Sequence, residues 1–232
     1  ADLVGKLLAD LKPDVFINGG DMFDLPSFSN YDKGKARFHG RAYRRDLDAG
    51  LEFDERLWAP IRRAKKKRPR AVFLEGNHEE RMKRALDQSP ELEGTIGFKD
   101  FELEKNYTDI MQYAGNTPGL IDIDGIAYGH FHVSGVMGRN IGGEHVGYSL
   151  LTKQFQSATC GHIHTYDHCV RTSANGRRLN GLSAPCFIDY QVDWAGEVNT
   201  LWSRGVVICS NVENGDYDIQ YISLNSLNKM YG

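Results

Sequence analysis

At 232 residues, with 41% hydrophobic and 25% charged side chains, the chain has the make-up of a folded globular protein, which excludes a disordered or collagen-like one. Its formal net charge of −3 excludes a global electrostatic footprint for nucleic acid or an anionic membrane, so any polyanion binding has to be local. Cys160, Cys169, Cys186 and Cys209 show no Cys-x-x-Cys spacing, which argues against a disulfide scaffold and for reduced, cytoplasmic thiols, and no run of about 18 apolar residues predicts a membrane span.

In chain order, "ADLVGKLLADLKPD" predicts an amphipathic helix with Leu3, Leu7, Leu8 and Leu11 on one stripe. It leads into a short apolar strand, "DVFIN" at 14–18, which ends in Gly19-Gly20-Asp21. A helix feeding a strand predicts half of a β-α-β unit whose first strand precedes Ala1. Residues 19–34 read as a loop rich in Gly, Asp, Ser and Pro, and 35–67 as a charged helix ending in the basic run "RRAKKKRPR", stopped by Pro69. A second buried strand, "AVFLE" at 71–75, runs into the polar turn "GNHEE". Residues 78–112 predict helix, more weakly beyond Pro90. "GLIDIDGIAYGHFH" alternates about Asp124-Gly125, a hairpin signal. Residues 145–155 predict a helix, and "SATCGHIH" a strand entering a turn. From Thr165 onward the pattern is nearly all β, with Asn175-Gly176 and Asn214-Gly215 as hairpin turns. The length suits one domain over 1–232.

Four strands thus end in groups able to bind metal: Asp21 with Asp24, Asn77 with His78, His130 with His132, and His162 with His164. A glycine, which permits close approach of backbone, precedes each set. Ligand sites of α/β sheets lie beyond the C-terminal strand ends, so the four segments are expected to converge. Taken singly, each histidine is equally well a hydrogen-bonded core or surface residue.

In this order, "GGDMFD", "EGNHEE", "YGHFH" and "CGHIH" resemble the calcineurin-like metallophosphoesterase superfamily, whose pattern runs D-x-H, G-D-x-x-D, G-N-H-E/D, a single His, and G-H-x-H. The resemblance spans nearly the whole chain except the Asp-x-His motif, which is expected on a strand upstream of Ala1. It implies an α/β fold, a four-layer α/β/β/α sandwich flanked by helices, holding two divalent ions. Asp21 would bridge the pair, Asn77, His130 and His162 would complete one ion, and His164 would reach the other, with His132 an alternative to His130. Mixed N/O ligation of this kind suits manganese first, and also Fe, Zn, Ni or Mg. His78 would act as general acid, oriented by Asp24, for which a turn-capping role is the competing reading. Glu79 and Glu80 are expected at the positive N-terminus of the next helix.

The implied activity is hydrolysis of a phosphodiester, in DNA or a nucleotide, or of a phosphomonoester. "GDMFDLPSFSNY" lacks the Arg-Gly continuation of the phosphoprotein phosphatases, and the C-terminal part is more similar to bacteriophage-type and bacterial phosphoesterases and exonucleases, which would place the protein in a host cytoplasm if viral. Arg37, Arg41, Arg44 and Arg45 recur at helical spacing and offer guanidinium groups to phosphate. A salt-bridged, solvated helix face explains them equally well. Phe28, Tyr31 and Trp194 could stack bases or pack locally. Two rival functions stand beside hydrolysis: a catalytically silent metal-binding module acting in an assembly, and a structural zinc site on His162, His164 and His168.

Overall fold

A computed structural model describes residues 1–232, the side chains of Asp193 and Trp194 excepted, so the proposed stacking residue Trp194 lies outside the described side chains. The fold is mixed α/β, and its contacts divide it into two compact units, Ala1–Tyr113 and Ala114–Gly232.

In the first unit, α1 (Asp2–Leu11) leads into β1 (Val15–Asn18), and α2 (Tyr43–Arg63) carries the chain back to β2 (Arg70–Leu74). After α3 (Glu80–Gln88) and three 3-10 turns comes β3 (Asp109–Met111). The strands form a parallel sheet in the order β1-β2-β3, with Asn18 opposite Phe73 and Leu74 opposite Met111. Ala71, Val72, Phe73 and Leu74 of the central strand are all buried, as expected for a strand covered on both faces. The α1 stripe differs from its sequence reading: Val4, Gly5, Leu7, Leu8 and Ala9 are buried, whereas Leu11 is exposed. The cause is Gly5, where any Cβ would lie 2.2 Å from the Leu57 carbonyl oxygen, so α1 and α2 approach along the glycine. The stretch expected to be helical up to residue 112 holds β3 instead. Three residues carry no readable alternation, and pairing with β2 decides their conformation.

In the second unit, β4 (Leu120–Ile123) and β5 (Ile126–Gly129) form the expected hairpin, Asp124 and Gly125 both taking positive φ (51° and 81°). A small hairpin, β6 (Val133–Ser134) with β7 (Arg139–Asn140), precedes α4 (Val146–Gln154) and β8 (Ser157–Cys160). Next come β9 (Asp167–Thr172) and β10 (Arg178–Ser183), an antiparallel pair turning at Asn175-Gly176. These strands make a five-stranded sheet in the order β4-β5-β8-β10-β9, in which β5, β8 and β10 run parallel. The chain ends with the hairpin of β11 (Gly205–Glu213) and β12 (Asp216–Ser223), then α5 (Leu224–Tyr231), which Ser223 caps through the Ser226 N–H. Val146 and Leu150 of α4 pack with Ala127, Ile141, Ala158 and Cys160. Among the described residues no helix is long and apolar enough to cross a membrane. The cysteines are free; burial pushes the Cys160 thiol up to about 12, so it behaves as a small apolar group.

The tightest packing in this unit is backbone on backbone. A Cβ at Gly181 of β10 would sit 2.0 Å from the carbonyl oxygen of Gly147 on α4, so neither element can yield by a rotamer change. Gly181→Ala is therefore expected to cost about 2–3 kcal/mol of stability, read as a lower urea midpoint with an unchanged slope.

Candidate metal and catalytic site

In the first unit the polar turns after β1 and β2 are joined by one buried carboxylate. Glu79, fully buried, accepts the peptide N–H groups of Asp21 (2.9 Å), Phe23 (2.7 Å) and Gly76 (2.9 Å). Hydrogen bonds to an ionised acceptor are worth about 1.5–3 kcal/mol each when nothing else can satisfy the donors. The turns approach so closely that a Cβ on Gly76 would lie 2.1 Å from Asp21 Oδ1, which makes glycine obligatory there. Asp21 itself sits in the left-handed region, φ 57°. Its Oδ1 accepts the His78 peptide N–H at 3.0 Å.

His78 Nδ1 lies 2.5 Å from Asp24 Oδ1, and its Nε2 lies 4.0 Å from Asp21 Oδ2. Of the two readings of Asp24, the structure thus places it on the imidazole. Arg81 holds Asp24 from the other side, through the main-chain oxygen at 2.5 Å and Oδ1 at 3.3 Å. Burial pushes the His78 imidazole down, but the Asp21 carboxylate and the hydrogen bond His78 donates to Asp24 outweigh it, so its pKa lies above the ordinary value. Burial likewise raises Asp24, yet the His78 contact wins and holds its carboxyl low. Asn77 follows β2, and its main-chain oxygen accepts from Arg84 Nη2 at 3.0 Å. Arg84 also pairs with Glu80, whose carboxyl is raised chiefly by burial. Burial also raises Glu75, whose Oε2 accepts the Tyr113 N–H at 2.6 Å. Burial, then the carboxylates of Asp21, Glu80, Glu75 and Glu79, push the Tyr113 phenol far up. Four carboxylates thus lie near this phenol, with Arg81 and Arg84 paired to Asp24 and Glu80 beside them.

In the second unit the main-chain oxygen of His130 accepts two N–H groups from the turn after β8, those of Gly161 (3.0 Å) and His162 (3.1 Å). This brings His130 Nε2 to 3.1 Å from His162 Nδ1. With one nitrogen protonated this is an N–H···N hydrogen bond. With both lone pairs turned inward it is the spacing of two neighbouring ligands about 2.0–2.1 Å from a common ion. The donor set fits a borderline divalent cation. His132, two residues on, is turned elsewhere: its Nε2 lies 3.0 Å from the Thr159 carbonyl oxygen, and burial lowers its pKa. The strand ends at Gly129, so the period-2 rule that would align His130 with His132 does not operate. His164 takes a positive φ of 66° and packs edge-on against Trp202, centroids 4.5 Å apart. His168 lies on β9, 3.1 Å from Asn180 Oδ1.

No protein-family model, curated protein or solved structure matches this chain.

Arg37, Arg41 and Arg44 are engaged within the first unit. Arg41 donates to Asp32 Oδ2 at 2.7 Å and to the Pro26 main-chain oxygen at 2.9 Å, while Arg37 also pairs with Asp32. Arg44 bonds Asp48 one turn on at 3.0 Å, and Arg45 is exposed. Phe28 stacks on Tyr43, and Tyr31 is exposed. Sequence reasoning missed Glu79, Arg81 and Arg84. Glu79 reads as a helix-start acid, a placement so common that only its tertiary partners distinguish it; Arg84 has a signal in its i,i+4 spacing from Glu80.

Two outcomes follow. In Glu79→Gln, one amide nitrogen must face a peptide N–H whichever way the side chain turns, so stability is expected to fall by about 2 kcal/mol, with faster amide exchange at Asp21, Phe23 or Gly76. Because the His78 pKa is raised, the stability its charged form contributes is complete below the unfolded imidazole value and is lost as pH rises through the folded one. NMR titration of the metal-free protein should show the His78 pKa falling in Asp24→Asn.

Proposed function

We propose that the chain is a metal-dependent phosphoesterase, of the calcineurin-like type and its four-layer α/β/β/α architecture, that hydrolyses phosphodiesters such as DNA or nucleotides, or phosphomonoesters. Its two divalent cations, manganese being the first choice, would be held by Asp21, Asn77, His130, His162 and His164. The observation that carries the reading is the His130–His162 nitrogen pair, 3.1 Å apart at the C-terminal ends of neighbouring parallel strands. The carboxylates of Asp21, Glu80, Glu75 and Glu79, all near enough to act on the Tyr113 phenol, support it, since gathered negative charge favours a bound cation.

A bound pair of divalent ions would supply polarisation of the phosphoryl oxygens and a lowered pKa for the attacking water. The chain supplies the remainder. Asp21 has its Oδ1 tied to the His78 N–H, so its carboxylate is fixed before any ligand arrives. Arg84 on the Asn77 main-chain oxygen fixes the turn from which the Asn77 side chain would offer its amide oxygen. His78, whose proton the Asp21 and Asp24 carboxylates help to hold, would give that proton to the leaving oxygen as the P–O bond breaks. Arg81 bridges Asp24 and so stiffens the donor's support.

Hydrolysis of an aryl phosphodiester with manganese is the direct test. His78→Ala is expected to lower kcat by about 10²–10⁴ while leaving manganese uptake intact. Asp21→Asn and His162→Ala should weaken uptake as well as turnover. Full activity in Asp21→Asn, or no manganese-dependent hydrolysis of either ester class by the wild-type chain, would end this reading.

A further inference from the structure

Behind β1 lies a buried polar chain that the proposed chemistry does not itself use. Its root is Asp54 on α2, a buried carboxylate. Asp54 Oδ1 accepts from Trp58 Nε1 (3.0 Å) and from the Tyr107 hydroxyl (3.0 Å), and Oδ2 accepts from the Asn106 amide. The polarity at one end is set by Arg68, which has only donors: its Nη2 bonds Asn106 Oδ1 at 2.6 Å, so the Asn106 nitrogen must face Asp54. At the other end the Tyr107 hydroxyl has spent its proton on Asp54. Its oxygen can only accept, and it takes the Asn18 amide nitrogen at 2.9 Å. Asn18 is thereby oriented with Oδ1 toward the turn, where it accepts the Gly20 N–H at 3.1 Å. Gly20 has φ 91°, and Asp21 follows it.

We infer that Asp54, Tyr107 and Asn18 are positioning residues for Asp21: a directional hydrogen-bond relay that holds Gly20 so that the carboxylate after it is presented in one place. For its functional consequence this rests on the reading of Asp21 as a metal ligand. Each link fixes the next because every group has a single compatible role. Arg68 cannot accept, Asp54 takes all three donors, and the tyrosine oxygen then has only its lone pairs left. Asn18 Nδ2 also lies 3.4 Å from Met22 Sδ, and the Tyr107 hydroxyl 3.8 Å from it. Thioether sulfur is a weak acceptor and cannot replace the phenol in orienting the amide.

The test uses the full chain, with manganese alone as ligand and with hydrogen exchange at the Gly20 amide as a readout independent of metal. Tyr107→Phe removes the acceptor that orients Asn18, and Asp54→Asn leaves the shape but frees the direction of the relay. Both are expected to accelerate Gly20 exchange at least about tenfold and to weaken manganese affinity by about tenfold, the size seen when partners behind a metal ligand are removed. Trp58→Phe takes one donor from the same carboxylate and disturbs the same core. It should leave both readouts within about twofold of wild type. If Trp58→Phe matches the other two, the effect is lost stability and the relay is refuted. Gly20 released with no loss of manganese affinity would sever the link to Asp21. Should the wild-type chain take up no manganese, the metal reading fails and the Gly20 exchange rates alone decide the relay, unchanged rates in Tyr107→Phe and Asp54→Asn overturning it.

Discussion

The first unit depends on a carboxylate placed where a sheet has run out of hydrogen bonds. Beyond Asn18 and Phe73, β1 and β2 no longer pair, yet the turns that follow are close together and partly shielded from water. Peptide N–H groups in such a place must find an acceptor or forfeit the free energy of their lost hydration. Glu79 supplies it for Asp21, Phe23 and Gly76 together. The arrangement dictates further residue identities. Two backbone segments drawn to one carboxylate leave no room for a side chain at residue 76. The same closeness lets Asp21 Oδ1 reach the His78 N–H.

The second unit solves the same problem with a main-chain oxygen. His130 follows the last residue of β5, and its carbonyl takes the N–H groups of Gly161 and His162 beyond the end of β8. Backbone pairing therefore continues a short way past two parallel strands, and the two imidazoles come together as its by-product. Their juxtaposition follows from strand neighbourhood and not from the number of histidines in the segment. His132 and His168 belong to the same dense population, and both are absorbed by ordinary hydrogen bonds, to Thr159 and Asn180 respectively.

Much of the fold was legible because its signals are local. The Asp124-Gly125, Asn175-Gly176 and Asn214-Gly215 turns were readable since positive φ falls on few residue types. The long α2 and the apolar β2 were readable from periodicity and length. Elements whose cause is tertiary were not. The strand β3 exists because β2 needs a second neighbour, the β6–β7 pair is two residues a side, and the buried face of α1 keeps Leu7 and Leu8 but is turned by Gly5 meeting α2, leaving Leu11 exposed. At the candidate site the same division holds. The strand-end positions of Asp21, Asn77, His130 and His162 could be read, since strands and glycines leave a pattern. The carboxylate that holds two of those turns could not, nor could the capture of Arg41 by Asp32, because both are facts about partners distant in sequence.

The turn carrying Asp21 shows why such partners matter more than propensity. A non-glycine residue in the left-handed region costs on the order of 1 kcal/mol, and both Asp21 and Leu25 adopt it. A loop free to relax would avoid this. Here the N–H of Gly20 is held by Asn18, those of Asp21 and Phe23 by Glu79, and Asp24 is held by Arg81 through its own carbonyl. Successive peptide groups are thus fixed from three different elements, β1, the turn before α3, and α3 itself. Several bonds, two of them to a buried carboxylate, outweigh the local strain. The strained conformation is the one in which the N–H groups of Gly20, Asp21 and Phe23 all find acceptors. A side chain held this way arrives at its position without paying ordering entropy on ligand binding. That is the physical property the proposed role of Asp21 as a cation ligand would require, and it comes from residues other than Asp21 itself.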